Sequence, residues 1–351
     1  MIKATEPVQR PEDARLLVVD HDRKIHHVRR TSFIDCLGAG DLVIANDAAT
    51  LPASLQGIHV RTGDAIEVRL AGRPSLQPED MNYFTAVVFG AGDFHTRTED
   101  RLPPPMLVPS DELLLGPLHA TVEQLLGHAR LVSVRFTGKA DHVWASLAHH
   151  GKPIQYAHVA TPLKLWDVWT RIAGPPVAFE PPSAGFALDW RTISEMRAKG
   201  IEFETITHAA GISSTGDDEL DRLLPLDEPY HIPDVTAQAI QRTKKEGGRI
   251  IAVGTTVVRA LEHSAICDGI VRPGNGVATQ RIGPSTRLRM VDAILSGTHE
   301  RETSHYQLLR AFADDTTLEL ANQELDLRHY LTHEFGDSVL IERSVEYGKK
   351  N

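Results

Sequence analysis

Two cysteines in 351 residues, Cys36 and Cys267, with no Cys-x-x-Cys pair, leave no basis for a disulfide framework or a zinc–thiolate centre. No apolar run approaches the roughly 20 residues that a membrane-spanning helix needs. The opening Met1-Ile-Lys-Ala-Thr-Glu-Pro7 is not a signal peptide. These absences predict a soluble cytoplasmic protein with no membrane partner. A basic excess is also missing: 37 Lys and Arg stand against 47 Asp and Glu, a net charge of −10. That balance argues against broad non-specific nucleic-acid binding, which needs a basic face, but allows a local basic patch. The 18 histidines are scattered, and His299 and His305 do not have the spacing of an H-E-x-x-H helix, so no metal site is expected. What is present is 41% apolar residues, enough for a full core, and a length that favours two domains.

The stretch from Arg249 to Glu262 organises the chain. Ile250 to Val253 is a short apolar run of the kind found in buried parallel strands. Gly254 ends it, and Thr255 or Thr256 is expected to cap a helix running through Val257, Val258, Ala260 and Leu261. A strand, a glycine turn and a helix start place backbone N–H groups at a sheet edge, where anionic ligands bind. Arg259 follows about one turn into the helix, placed to clamp a carboxylate or phosphate.

Alternating strands and helices occupy both ends of the chain. Strands are expected at Ala14–Asp20, Gly40–Asp47 and Ile201–Thr207, and near Val277–Gly283, Arg287–Asp292 and Phe335–Ile341. Helices are expected at Thr31–Leu37, Ala140–His150, Asp189–Lys199, Val235–Glu246, Ser304–Phe312 and Leu318–Arg328. Arg23 to Arg30 reads as a basic hairpin arm, and Trp166 and Trp169 as core residues. From Ile58 to Phe136 the texture changes to short period-two runs separated by Gly, Pro and Asp, the pattern of an antiparallel sheet or small barrel. The expected fold is therefore α/β: a three-layer α/β sandwich from residues 1–57 and 137–351, with an antiparallel β-barrel inserted at 58–136. Candidate ligand contacts are Asn46 and Asp47 at a strand's carboxyl end, and Ser183 and Gly185 in a proline-rich loop before a helix. Gly254, Thr255 and Thr256 join them at the central turn, and His208 ends a further strand.

Several strings, in order and over nearly the whole chain, resemble the S-adenosylmethionine:tRNA ribosyltransferase-isomerase family of queuosine biosynthesis. They include Gly40–Asp47 with Leu51–Leu55, Pro182–Phe186, Thr207-His208, Ile251–Glu262, Val291–Leu295 with His299, and Gly336–Ile341. The resemblance implies the three-layer fold with its inserted barrel. It also implies a reaction: the ribosyl part of S-adenosylmethionine moves to a 7-aminomethyl-7-deazaguanine base at the tRNA wobble position and is isomerised, while adenine and methionine leave. The sulfonium acidifies its neighbouring carbon, so the resemblance implies a general base and no metal. His299 or His208 suits the proton work, and Arg259 suits the methionine carboxylate.

The sequence also departs from the family. Gly151-Lys-Pro-Ile-Gln-Tyr156 stands where the family has a Met-Pro-Leu-Pro-Pro-Tyr type of stretch. Gly211–Gly216 and Pro225–Glu228 replace its Gly-x-Gly-Thr-Phe and Met-His-Ser-Glu segments, and Gly297–Arg301 replaces Asn-Phe-His-Leu-Pro. Asp217 to Asp221 adds acidic charge beside the second of these. The alternatives are a paralogue that gives the same donor another acceptor and handles tRNA poorly, or a non-catalytic binding protein on this scaffold.

Overall fold

The computed structural model describes residues 2–9, 11–93, 95–299 and 303–344. The chain begins with a hairpin, β1 (Arg15–Val19) and β2 (Ile25–Arg29), and continues to β3 (Leu42–Asn46). A barrel follows: β4 (Ser54–His59), β5 (Ala65–Gly72), β6 (Tyr83–Phe89), β7 (Glu112–Leu115), β8 (Leu118–His128) and β9 (Leu131–Phe136). Then come helices α1 (Ala140–His150) and α2 (Trp190–Ala198), and strands β10 (Glu202–His208) and β11 (Glu228–Ile232). Helix α3 (Asp234–Glu246), β12 (Ile250–Val253), α4 (Thr255–Ser264), β13 (Gly274–Ala278) and β14 (Ala293–Gly297) form the central run. Helices α5 (Ser304–Leu309) and α6 (Asp315–Leu327) and strand β15 (Ser338–Glu342) close the chain.

Among the described residues, nine strands form the main sheet in the order β13-β11-β10-β3-β12-β14-β15-β1-β2. Its centre, β10-β3-β12-β14, is parallel. The period of two decides the layers. Leu42, Ile44, Ile250 and Ala252 face Ala239 and Ile240 of α3 and Val257 and Leu261 of α4. Val43, Ala45, Ile251 and Val253 face Ile193 and Met196 of α2 and Phe33 of the turn Arg30–Cys36. Both faces are covered, as a parallel sheet requires, and the sandwich has three layers.

The barrel closes in the order β8-β9-β6-β5-β4-β7, all pairs antiparallel. Closure removes the free strand edges that an open sheet would expose. Its interior is aliphatic and aromatic, with Leu55, Val68, Phe84 and Val134 buried, and Val143 and Leu147 of α1 pack on the same core.

Several local expectations are corrected. The cap of α4 is Gly254 and not a threonine: no side chain caps this helix, and Thr255 is already its first residue. The segment Arg287–Asp292 is not a strand. The buried Glu262 carboxylate accepts from the backbone N–H groups of Arg289, Met290 and Val291 at 2.8–3.0 Å, which replaces ladder bonds there. The strand begins only at Ala293, and the one before it is shifted to Gly274–Ala278. Arg30–Cys36 is a 3₁₀ turn. Neither Trp169, 39% exposed, nor Trp166 is core: Trp166 is 68% exposed, with the Lys164 ammonium 5.2 Å from its ring centre. Its helix, Leu165–Val168, is a single turn whose one buried position goes to Val168. The basic arm is an edge strand and the turn before it, and its side chains are largely engaged: Arg23 pairs with Asp314 at 2.8 Å and Lys24 with Asp22 at 3.3 Å, while His26 bonds Asp20 at 2.8 Å and His27 bonds Glu324 at 3.1 Å.

Helix α2 starts as its sequence suggests, with the Asp189 carboxylate accepting from Thr192 N–H at 2.7 Å. Asp189→Ala is expected to cost about 1 kcal/mol, the usual value of such a cap, read as a lower denaturant midpoint with an unchanged slope.

Candidate active site

The carboxyl ends of β3, β10, β12 and β14 gather on one edge of the sheet, and a cavity of about 880 Å³ opens there. Its floor is the Gly254–Thr256 turn with Ser183, Ser296 and Gly297, and His299 stands beside them. The loop Ile212–Ser214 and the short helix Asp218–Asp221, through Asp218, Asp221 and the following Arg222, form a wall. Gly254 adopts φ +95° and ψ 157°, a region that only glycine occupies readily. With no side-chain cap, the first N–H groups of α4 are left for a ligand, at the positive end of the helix dipole.

Arg259 lines the same cavity but already holds a carboxylate. Its Nη1 donates to Glu228 Oε2, and its Nη2 donates to the carbonyls of Ala278 at 2.9 Å and Leu226 at 3.2 Å. The other partners of Glu228 are His208 Nε2 at 2.9 Å and the Gly211 N–H at 2.7 Å. Burial alone would raise the Glu228 pKa. The Arg259 charge and the His208 contact outweigh it and hold the carboxyl down at about 2. Of the Arg259 side-chain nitrogens only Nε lacks a partner among the described residues, so the two terminal nitrogens are committed to the protein itself. This buried network braces β11 against α4.

His208 is fully buried behind the cavity wall. Asn46 is a structural clamp: its Oδ1 accepts from His208 N–H and Ala48 N–H, and its Nδ2 donates to the His208 carbonyl and to Thr256 Oγ1. The Asp47 oxygens accept from Thr205 and Thr207. Gly185 is buried, and a Cβ there would lie 3.1 Å from Thr170 Cγ2. The structure thus brings Ser183, Gly254, Thr255, Thr256, Arg259 and His299 to the cavity, and places Asn46, Asp47, Gly185 and His208 outside its lining.

Two further groups at the cavity carry no signal in the sequence alone. His305, on α5, stacks on His299 with ring centres 4.3 Å apart and planes at 9°. Burial pushes the His305 pKa down to about 4, and burial together with the neighbouring rings holds His299 well below its ordinary range. Both are therefore neutral at pH 7. Of the string Gly297–Arg301, Glu300 and Arg301 lie outside the described residues. Glu180 is the second group. It reaches the cavity and accepts from Ser213 N–H at 3.0 Å. Burial, with the Glu334 carboxylate adding to it, pushes Glu180 up to about 8. Glu334 belongs to a further cluster with His158 and His333, whose ligand atoms lie within 4.8 Å of one another.

The Glu180 shift has a stability consequence. Its folded pKa lies above the ordinary 4.5, so the folded state holds the proton more tightly and its contribution is lost as pH rises from about 4.5 toward 8. Glu180→Gln should flatten the fall in stability over that window. Denaturation curves at pH 5 and pH 8 check this, and an unchanged pH slope would contradict the assignment.

The sequence profile described as queuosine biosynthesis protein matches residues 1–341. The chain belongs to this family. Among its relatives, the S-adenosylmethionine:tRNA ribosyltransferase-isomerase of Sorangium cellulosum is 31% identical, with 96% of this chain and 94% of the relative covered. The namesake protein of Synechococcus elongatus is 28% identical over 96% and 92% of the two chains. A crystal structure of an S-adenosylmethionine tRNA ribosyltransferase from Thermotoga maritima aligns with a TM-score of 0.51 at 23% identity, covering 97% of this chain and 96% of that one. That likeness supports the shared fold, a mixed α/β sheet with a closed six-stranded barrel. Within the queuosine biosynthesis fold, the cavity of this chain sits at the carboxyl edge of the parallel strands, the usual ligand position in open α/β sheets.

Proposed function

We propose that this chain is an S-adenosylmethionine:tRNA ribosyltransferase-isomerase acting in the cytoplasm, with S-adenosylmethionine as ribosyl donor and the wobble base of tRNA as acceptor. The observation that carries the reading is a stacked histidine pair on the same cavity as an uncapped helix N-terminus. In this reading the methionine carboxylate lies on the N–H groups of Thr255 and Thr256, where a helix start favours an anion. Arg259 stands behind them as a brace. His299, backed by His305, takes the proton from the carbon beside the sulfonium, a step that needs a base already neutral at the working pH. Ser183 and Ser296 are hydroxyl contacts for the ribose.

The acceptor side is the wall of loops. Of the acidic residues that oppose a phosphate backbone, Asp217 and Asp221 are largely engaged within the protein, while Asp218 and Glu219 are exposed. The Asp221 oxygens accept from Ser214, Thr215 and Gly216, and Asp217 caps its own short helix. Arg222 and Arg281 also line the cavity. A second reading, the same donor with a different acceptor, is favoured by one observation: the wall is built from Gly211–Gly216 and its neighbours, where the sequence leaves the family pattern. Expression in a strain lacking the native enzyme, followed by mass spectrometry of wobble nucleosides, separates the two. Restored queuosine supports the tRNA acceptor. Precursor accumulation with a soluble, folded protein supports the second reading.

A further inference from the structure

The cluster beside the cavity is a side-chain set for which the transferase reaction has no need. His158 lies in the loop that follows the rewritten segment Gly151–Tyr156. His333 and Glu334 lie in the turn leading to β15, more than 150 positions later. The fold brings them together, with the rings of His158 and His333 4.6 Å apart between centres and the ring of Tyr156 stacked on His158 at 5.7 Å. His158 Nε2 and Glu334 Oε2 are 3.9 Å apart, too far for a hydrogen bond. Both atoms are buried and have no hydrogen-bond partner among the described residues, and the same holds for the Tyr156 hydroxyl. Buried polar atoms without partners are costly and call for a ligand.

The geometry points to a transition-metal site: we infer that His158, His333 and Glu334 bind one divalent ion of the zinc class. Two imidazoles and a carboxylate form a common donor set for such ions, with each ligand atom about 2.0–2.2 Å from the metal. Around a tetrahedral ion such ligand atoms sit about 3.4 Å apart. The atoms here lie within 4.8 Å of one another, so binding draws the set together by up to about 1.4 Å, through side-chain rotation. The ion ties the loop after α1 to the turn before β15. It also fixes the back of the cavity, because the His333 backbone N–H donates to the Thr298 carbonyl, one residue from His299. Its role is structural, a clip between two segments distant in sequence, and it takes no part in ribosyl transfer.

The test uses the full chain, depleted with chelator and titrated with Co(II), which takes the same ligands as Zn(II) and absorbs in the visible. The expected result is one equivalent bound, displaced by one equivalent of Zn(II), with a higher melting temperature in the loaded protein. His333→Ala and Glu334→Gln should each weaken binding by about 100-fold or more, since even the loss of an outer-shell partner costs about 10–100-fold. Should either variant fail to fold by circular dichroism, X-ray absorption of the Co(II)-loaded natural chain decides, and two imidazole ligands are expected. Absence of a stoichiometric ion, binding indifferent to both folded variants, or a spectrum without imidazole would each overturn the site.

Discussion

Arg259→Ala is expected to cost about 3–5 kcal/mol of folding stability, the usual penalty for removing one partner of a buried ion pair. The loss comes from what remains. Glu228 keeps only His208 and the Gly211 N–H, in a site 5% exposed, and an uncompensated carboxylate there raises its pKa or unfolds its surroundings. Relief should be visible in the pair: Arg259→Ala with Glu228→Gln removes the stranded charge, and the double variant should be more stable than Arg259→Ala alone. A pH dependence accompanies the effect. The folded Glu228 pKa of about 2 lies below its ordinary 4.5, so its contribution is present above about pH 4.5 and lost as pH falls toward 2. In Arg259→Ala this acid dependence should shrink. Urea denaturation at pH 7 and about pH 3, inside the window set by the Glu228 shift, measures both effects, and a loss below about 1 kcal/mol, the range of exposed pairs, would show that the network is not a brace.

The second large effect is at Gly254. Its φ of +95° with ψ 157° is a conformation in which a side chain costs about 1–3 kcal/mol. A Cβ there would meet Ala184 Cβ at 3.5 Å, an ordinary contact, so the cost is in the backbone rather than in a clash. Gly254→Ala should therefore destabilise the protein and also shift the Thr255 and Thr256 N–H groups, weakening S-adenosylmethionine binding by about tenfold or more, which is about 1.4 kcal/mol. Gly247 offers the control. It has φ +81°, a Cβ there would meet nothing within 4 Å, and it lies at the far end of α3. Gly247→Ala should lower stability while leaving donor affinity intact. Calorimetry on the two folded variants separates them, and equal donor affinity in both would remove the α4 turn from the site.

Much of the frame is legible in the sequence because periodicity survives folding. Ile250–Val253 reads as a buried strand and is one. The helices at Ala140–His150 and Asp189–Lys199 carry their own stop or cap signals in Gly151 and Asp189. The change to period two marks the barrel. The differences arise where tertiary contacts replace local signals. Glu262 satisfies three N–H groups that a strand at Arg287–Asp292 would have paired. The site is legible in part for the same reason. The Gly254 turn is local chemistry and can be read directly. Arg259 reads as a ligand clamp because Glu228, 31 positions earlier, gives no hint of proximity. The spacing of His305 from His299 suits no metal-binding helix, yet the fold brings the two rings together to stack. His158 lies far in sequence from the adjacent His333 and Glu334, and only the fold assembles the three.

The central claim is that this cavity turns S-adenosylmethionine over against tRNA. Its most direct test is incubation of the purified chain with S-adenosylmethionine and tRNA bearing 7-aminomethyl-7-deazaguanine at the wobble position. Free adenine and the wobble nucleoside are then followed by mass spectrometry. The account predicts that adenine appears together with the epoxy-cyclopentanediol nucleoside in equal amounts, and that both are lost in His299→Ala. Unmodified tRNA with no adenine released, from protein that still binds S-adenosylmethionine, would contradict it.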